Sequence, residues 1–137
     1  MAEAPKKILI VEDETFLLDS LVRAFTAAGF VVRRAKDGEE GLAHAFAEHP
    51  DIILLDLLMP KLDGMSALKK LRDDPWGKEV PVIILTNASG AQKVNEAVEN
   101  KVTDFLVKAD WKLEEVVKRV KEKLGMKVPD RFLKAVP

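Results

Sequence analysis

Two patterns of apolar residues alternate along the chain. Ile8–Val11, Phe30–Val32, Ile52–Leu55, Val82–Leu85 and Phe105–Val107 are short, unbroken apolar runs rich in Val and Ile. With no polar residue at every second position, each predicts a strand covered on both faces, as in a parallel sheet. The segments between them repeat apolar residues at spacings of three and four. Leu17, Leu18, Leu21, Val22, Phe25 and Ala28 form the first helical stripe, which Gly29 stops. Asp37-Gly38 opens the second, with Leu42, Ala45 and Phe46 inward and Pro50 as its stop. Ser66 is the expected cap of the third, which carries Leu68 and Leu71 and breaks at Asp74-Pro75. The fourth, Ala91 to Asn100, is weak, with only Val94, Ala97 and Val98 to bury. The last carries Leu113, Val116, Val117, Val120 and Leu124, with Asp110 as cap and Gly125 as stop. Five strand–helix units predict an α/β fold, a doubly wound parallel sheet with helices on both faces and right-handed crossovers.

Composition narrows the function. A chain of 137 residues fits one domain with a sizeable core. Cysteine is absent, which excludes a disulfide framework, a thiolate zinc site and a catalytic thiol. The first apolar run is too short for a signal peptide or a membrane span, which predicts a cytoplasmic protein with no membrane partner. The 22 basic and 23 acidic residues leave a net charge of −1, which predicts no nucleic-acid partner. Charged residues make up 33% of the chain, and Asn and Gln are few. That composition fits a heat-adapted source and, equally, a merely well-solvated surface.

The candidate chemistry lies at the carboxyl ends of the strands, where open parallel sheets bind their ligands. Those ends carry Glu12 and Asp13, then Asp56, Thr86 and Lys108. Three of them have plain structural alternatives. Asp13 would cap the helix that starts near Thr15, Thr86 would be an ordinary β-branched strand residue, and Lys108 an exposed edge. Asp56 differs, because it interrupts Ile52-Ile53-Leu54-Leu55 before Leu57-Leu58, where an unpartnered carboxylate is costly. Three carboxylates held together repel one another until a proton or a cation intervenes. An all-oxygen ligand set makes Mg²⁺ the expected ion. Beside it, Asp56 would act as nucleophile towards a phosphoryl donor and form an acyl phosphate. The Thr86 hydroxyl and the Lys108 ammonium would meet the remaining phosphoryl oxygens.

The segments Ile8-Leu9-Ile10-Val11-Glu12-Asp13-Glu14, Leu54-Leu55-Asp56-Leu57-Leu58-Met59-Pro60, Asp63-Gly64 and Phe105-Leu106-Val107-Lys108 resemble the receiver (CheY-like) family of response regulators. The likeness extends over about residues 6 to 124. It implies a flavodoxin/CheY-like three-layer sandwich, with five helices around a five-stranded sheet of order 2-1-3-4-5. CheY is the type example of that order, which is therefore taken from the family. The resemblance further implies that Asp13, Asp56 and the backbone carbonyl of Leu58 ligate Mg²⁺, with Glu12 acting through bound water. Thr86 and Phe105 match the family's switch pair, although Phe105 also reads as an ordinary core aromatic. The implied partners are a sensor histidine kinase or phosphotransfer protein as donor and a downstream protein target. The chain would be no enzyme beyond assisting its own phosphorylation and dephosphorylation.

On this reading residues 1–125 are the receiver domain and 126–137 a tail. The tail holds Val128, then Phe132, Leu133 and Val136 between two prolines, Pro129 and Pro137. It would dock on the body or a partner, or remain a partly ordered terminus. With no output unit after the last helix, a single-domain regulator of a two-component system or phosphorelay is expected.

Three features set the chain apart within the family. Ala109 follows Lys108 where proline is usual, and a trans peptide is expected there because cis without proline costs about 2.5–4 kcal/mol. Asn100-Lys101 replaces the usual Ala-Gly before the fifth strand. Leu58 and Ala88 are apolar beside the phosphorylation site and cannot orient a hydrolytic water, which predicts slow loss of the phosphoryl group. Two other functions share parts of the pattern. A haloacid-dehalogenase-like phosphatase also needs an Asp two residues after its nucleophile, where Leu58 stands. An FMN-binding flavodoxin needs a phosphate loop after the first strand, and Glu12-Asp13-Glu14 would repel the phosphate. A receiver-shaped module that is never phosphorylated would normally have lost part of the pentad.

Overall fold

The structure, a computed structural model, describes residues 4–57, 63–86, 99, 104–107 and 112–126, with Thr86, Asp104 and Val107 described by their backbone alone. Along the chain the elements are β1 (Lys7–Val11), α1 (Thr15–Ala27), β2 (Val31–Ala35), α2 (Gly38–Glu48), β3 (Ile52–Asp56), α3 (Gly64–Arg72), β4 (Val82–Thr86), β5 (Asp104–Val107) and α4 (Leu113–Lys123). The strands are all parallel and lie in the order β2-β1-β3-β4-β5. The fourth helical pattern, Ala91 to Asn100, lies outside the described residues apart from Glu99. Among the described residues no helix is long and apolar enough to cross a membrane.

The unbroken apolar runs serve two cores. Leu9, Val11, Ile53, Leu55, Val82 and Ile84 pack on the side of α2 and α3. Their chain neighbours Ile8, Ile10, Ile52, Leu54, Ile83 and Leu85 pack on the side of α1 and α4. Successive strand side chains point to opposite faces, so a strand covered on both faces must be apolar at every position.

Several local expectations are corrected. The second strand is Val31–Ala35, not Phe30–Val32. Phe30 instead completes the end of α1: Gly29 has φ 94°, and the Phe30 N–H donates to the Phe25 carbonyl at 3.0 Å. The Phe25 and Phe30 rings then meet edge-on at 5.2 Å, the apolar contact that accompanies this helix ending. As an edge strand, β2 accommodates Arg33 and Arg34, which pair with Glu48 of α2 and Asp19 of α1.

Phe46 is 40% exposed rather than inward. α2 approaches the sheet through Gly38, Gly41 and Ala45, and a Cβ at Gly41 would lie 2.9 Å from Val11. Contact through small residues leaves the bulky ring at the rim. The helix ends at His49, in the left-handed region at φ 46°, before Pro50 is reached. α3 is capped by Asp63, whose Oδ1 accepts from the Ser66 N–H at 2.8 Å, so Ser66 lies inside the helix. Lys112 stands at the N-cap of α4 without a side-chain capping bond, and Asp110 lies outside the described residues.

At the amino-terminal end of the sheet, the turn before β4 is firmly built. Asp74 Oδ2 accepts from the Trp76 and Gly77 N–H groups, and Arg72 donates to the carbonyls of Gly77 and Val80 at 2.6 and 2.8 Å. The indole of Trp76 stacks on the His49 ring at 4.2 Å.

Candidate functional site

The register of the central strands brings the acidic residues together. β1 pairs with β3 so that Val11 lies opposite Leu55. The next residue on each strand is an acid, Glu12 on one and Asp56 on the other. Asp13 follows in the turn before α1, and carboxylate oxygens of Glu12, Asp13 and Asp56 all lie within 4.8 Å of one another. Glu12 and Asp56 are buried, whereas Asp13 is exposed, so the cluster opens to solvent on Asp13's side. The capping alternative for Asp13 finds no support, because Glu14 is the N-cap of α1 and makes no side-chain capping bond. The Glu14 N–H is instead held by Glu12 Oε2 at 3.0 Å, which fixes the turn between the two acids and the helix.

A third buried acid shows what a structural carboxylate looks like here. Asp37 is 6% exposed, caps α2 and accepts from the Glu40 N–H at 2.8 Å. It stands outside the cluster. Glu12 and Asp56 differ in being gathered with a third carboxylate at the carboxyl end of the sheet.

The position of Asp56 is set by its neighbours in α3. The Gly64 N–H donates to the Leu57 carbonyl at 2.9 Å. A Cβ on Gly64 would stand 2.0 Å from the Asp56 carbonyl oxygen and 2.7 Å from Leu57 Cα. Only glycine allows the first turn of α3 so close to the strand end that carries Asp56. In the sequence, Asp63-Gly64 stands out only as part of the family resemblance, with no physical role of its own. Asp63 starts the helix, and Gly64 lets it close on β3.

The other expected site residues are placed only in part. β4 and β5 pair Thr86 with Val107, which sets Thr86 at the carboxyl end of the sheet by its backbone. Phe105 is partly buried and packs against the core on the side of α2 and α3. Leu58, Ala88, Lys108 and Ala109 lie outside the described residues, and with them the expectation of a trans peptide at Lys108–Ala109.

The donor set fits a hard divalent cation. Octahedral Mg²⁺ bound at about 2.1 Å holds adjacent ligand oxygens about 3 Å apart and opposite ones about 4 Å apart. Carboxylate oxygens gathered within 4.8 Å span that range with small adjustments or one bridging water. The cluster contains no nitrogen or sulfur ligand, which would favour a softer metal.

Comparisons with known proteins agree. The family model for the response regulator receiver domain matches residues 8–121. The transcriptional regulatory protein PrrA of Mycobacterium bovis is 39% identical over 115 residues, 84% of this chain and 48% of PrrA. The chain spans about half or less of the length of the curated relatives it matches. Among solved structures, the chemotaxis protein CheY4 of Vibrio cholerae superposes with a TM-score of 0.80 at 29% identity, covering 87% of this chain and 98% of CheY4. The receiver domain of sensor histidine kinase PA1611 from Pseudomonas aeruginosa, solved with magnesium coordinated in its active-site cleft, gives a TM-score of 0.80 at 28% identity, covering 89% of this chain and 99% of that one. With its sheet order, its acidic cluster and a family match over most of its length, the chain belongs to the response regulator receiver domains of two-component signalling systems.

Proposed function

We propose that Asp56 is the phosphoryl acceptor of this receiver. The observation that carries the reading is the gathering of Glu12, Asp13 and Asp56 within 4.8 Å at the carboxyl end of the sheet. Asp13, Asp56 and the Leu58 carbonyl would hold Mg²⁺, and Glu12 would act through water. When bound, the ion offsets the carboxylate charge that would repel a phosphorylated donor and stabilises charge on the transferred oxygens. The Asp56 carboxylate attacks phosphorus in line and becomes an acyl phosphate as the P–N bond to the donor histidine breaks and its imidazole leaves. The Lys108 ammonium and Thr86 hydroxyl meet the phosphoryl oxygens, and Thr86 moves together with Phe105 to bias the domain between two states. The donor is a phosphohistidine on a sensor kinase or phosphotransfer protein. The output is a changed protein-binding face, and the magnesium site of the related PA1611 receiver supports the ion assignment.

Incubation with acetyl phosphate and Mg²⁺ is expected to add one phosphoryl group, read by intact-protein mass spectrometry. Asp56→Asn, or excess chelator, should abolish the addition. Equal labelling in either case would overturn the assignment of Asp56.

A further inference from the structure

β2 is the outermost strand of the sheet, and no strand lies beyond it among the described residues. Its pairing with β1 decides which backbone groups remain on the outer side. The Val31 N–H donates to the Lys6 carbonyl and the Glu12 N–H to the Ala35 carbonyl, both at 2.9 Å. With Val31 opposite Lys7 and Ala35 opposite Val11, the residues Val31, Arg33 and Ala35 turn their backbone groups towards β1. Those of Val32 and Arg34 point the other way, because successive residues of a strand alternate.

The side chains on this strand follow an order. Arg33 pairs with Glu48 of α2 and Arg34 with Asp19 of α1. Val31 and Arg33 therefore stand on the α2 face, and Val32 and Arg34 on the α1 face. Beside the exposed Val31, a groove of about 210 Å³ opens at the amino-terminal end of β1 and β2, lined in part by Lys7, Arg33, Glu48 and Pro50. It lies at the opposite end of the sheet from the acidic cluster. No acid occurs from Phe30 to Lys36, whereas Arg33, Arg34 and Lys36 are all exposed. Both arginines keep about half of their side-chain surface open while paired, and each guanidinium has more donors than one carboxylate uses.

We propose that the outer side of β2 binds an extended acidic segment of a partner protein as a further strand. The segment's backbone meets the N–H and C=O groups of Val32 and Arg34. Two of its apolar residues lie beside Val31 and Val32, one of them in the groove, and two of its carboxylates lie beside Arg33 and Arg34. Backbone pairing supplies affinity, and the order of apolar and acidic residues selects the partner.

The probe is the peptide Glu-Val-Val-Glu-Glu-Val-Val-Glu. It reads the same in both directions, so it offers two apolar residues followed by two acids in either strand orientation. It is titrated into the isotope-labelled full chain, and amide shifts and hydrogen exchange are followed by NMR. Saturable shifts centred on Val32 and Arg34 are expected. Exchange of those two amides should slow on the order of ten-fold at saturation, while Val31 and Arg33, already bonded to β1, change little. The same peptide with Lys in place of every Glu should not bind. Arg33→Gln with Arg34→Gln should fold, since exposed ion pairs contribute little, and should weaken the acidic peptide roughly ten-fold. Val32→Pro removes only an outward N–H, a change tolerated on an edge strand, and should abolish the shift at Arg34. The proposal is overturned by any one of four results: no saturable shift at Val32 and Arg34, equal binding of the lysine peptide, undiminished binding by the Gln double variant, or an Arg34 shift that survives Val32→Pro. Shifts of the same amides with protein concentration alone would assign this edge to a second copy and overturn it as well.

Discussion

At the residue scale, the site depends on a side chain that is missing as much as on the acids that are present. Gly64→Ala would push a methyl group into the Asp56 carbonyl, where 2.0 Å separates the two atoms. Relief requires α3 to retreat or the end of β3 to move, at a cost of about 1–3 kcal/mol. The expected outcome is a lower urea midpoint with an unchanged slope, together with slower labelling of Asp56 by acetyl phosphate. Labelling at the wild-type rate would mean that the close approach of α3 does not position the acceptor. The acids themselves were legible in the sequence, because a carboxylate inside an apolar run has few structural explanations. Gly64 was not. A glycine needed for close approach at ordinary backbone angles leaves no mark in a single chain; only the coordinates reveal what its Cβ would strike.

Among the elements, helix boundaries show where local reading succeeds and where it slips. Gly29 and Gly125 were readable as stops because a left-handed residue at a helix end strongly favours glycine. The start of α3 departs from what the sequence suggests: Ser66 is a good capping residue, yet Asp63 takes the cap three positions earlier. Both residue types suit the role, and the choice is made by where Gly64 must sit against β3. Asp63→Ala should therefore cost about 1 kcal/mol of stability in chemical denaturation. Ser66→Ala, inside the helix, should change stability by less than about 0.5 kcal/mol. A larger loss from Ser66→Ala than from Asp63→Ala would return the cap to the position the sequence suggested. Phe46 was misplaced for a related reason. Helical spacing identifies a stripe, but Gly41 and Ala45 bring α2 so near the sheet that the next large residue stays at the edge.

For the whole molecule, the alternation of runs and helical stripes was enough to give the doubly wound class, whereas the strand order came from family likeness. Periodicity says which faces are covered, and nothing about which strand neighbours which. If the clustered acids take up an ion, folding is coupled to metal binding, because crowded carboxylates repel one another and an ion that binds only the folded state stabilises it. Mg²⁺ at a hundred times its dissociation constant should add about 2.7 kcal/mol, on the order of 10 °C in Tm. Asp56→Asn should raise Tm in chelator, since one repelling charge is gone, and should lose most of the Mg²⁺ response. A wild-type melting curve indifferent to Mg²⁺ would argue against metal at the cluster. The outer edge of β2 bears on a different property, resistance to aggregation. An uncovered strand edge is a template on which another strand can add, and Val31, 52% exposed, would make this one attractive. Arg33 and Arg34 lean to opposite faces and are held there by Glu48 and Asp19. Hydrogen bonding from Arg33 keeps the Glu48 carboxyl below its usual range, so that pairing persists above neutral pH and fails only as acid titrates the lowered group. Even then the arginines remain, and two such edges brought together would face each other with like charge.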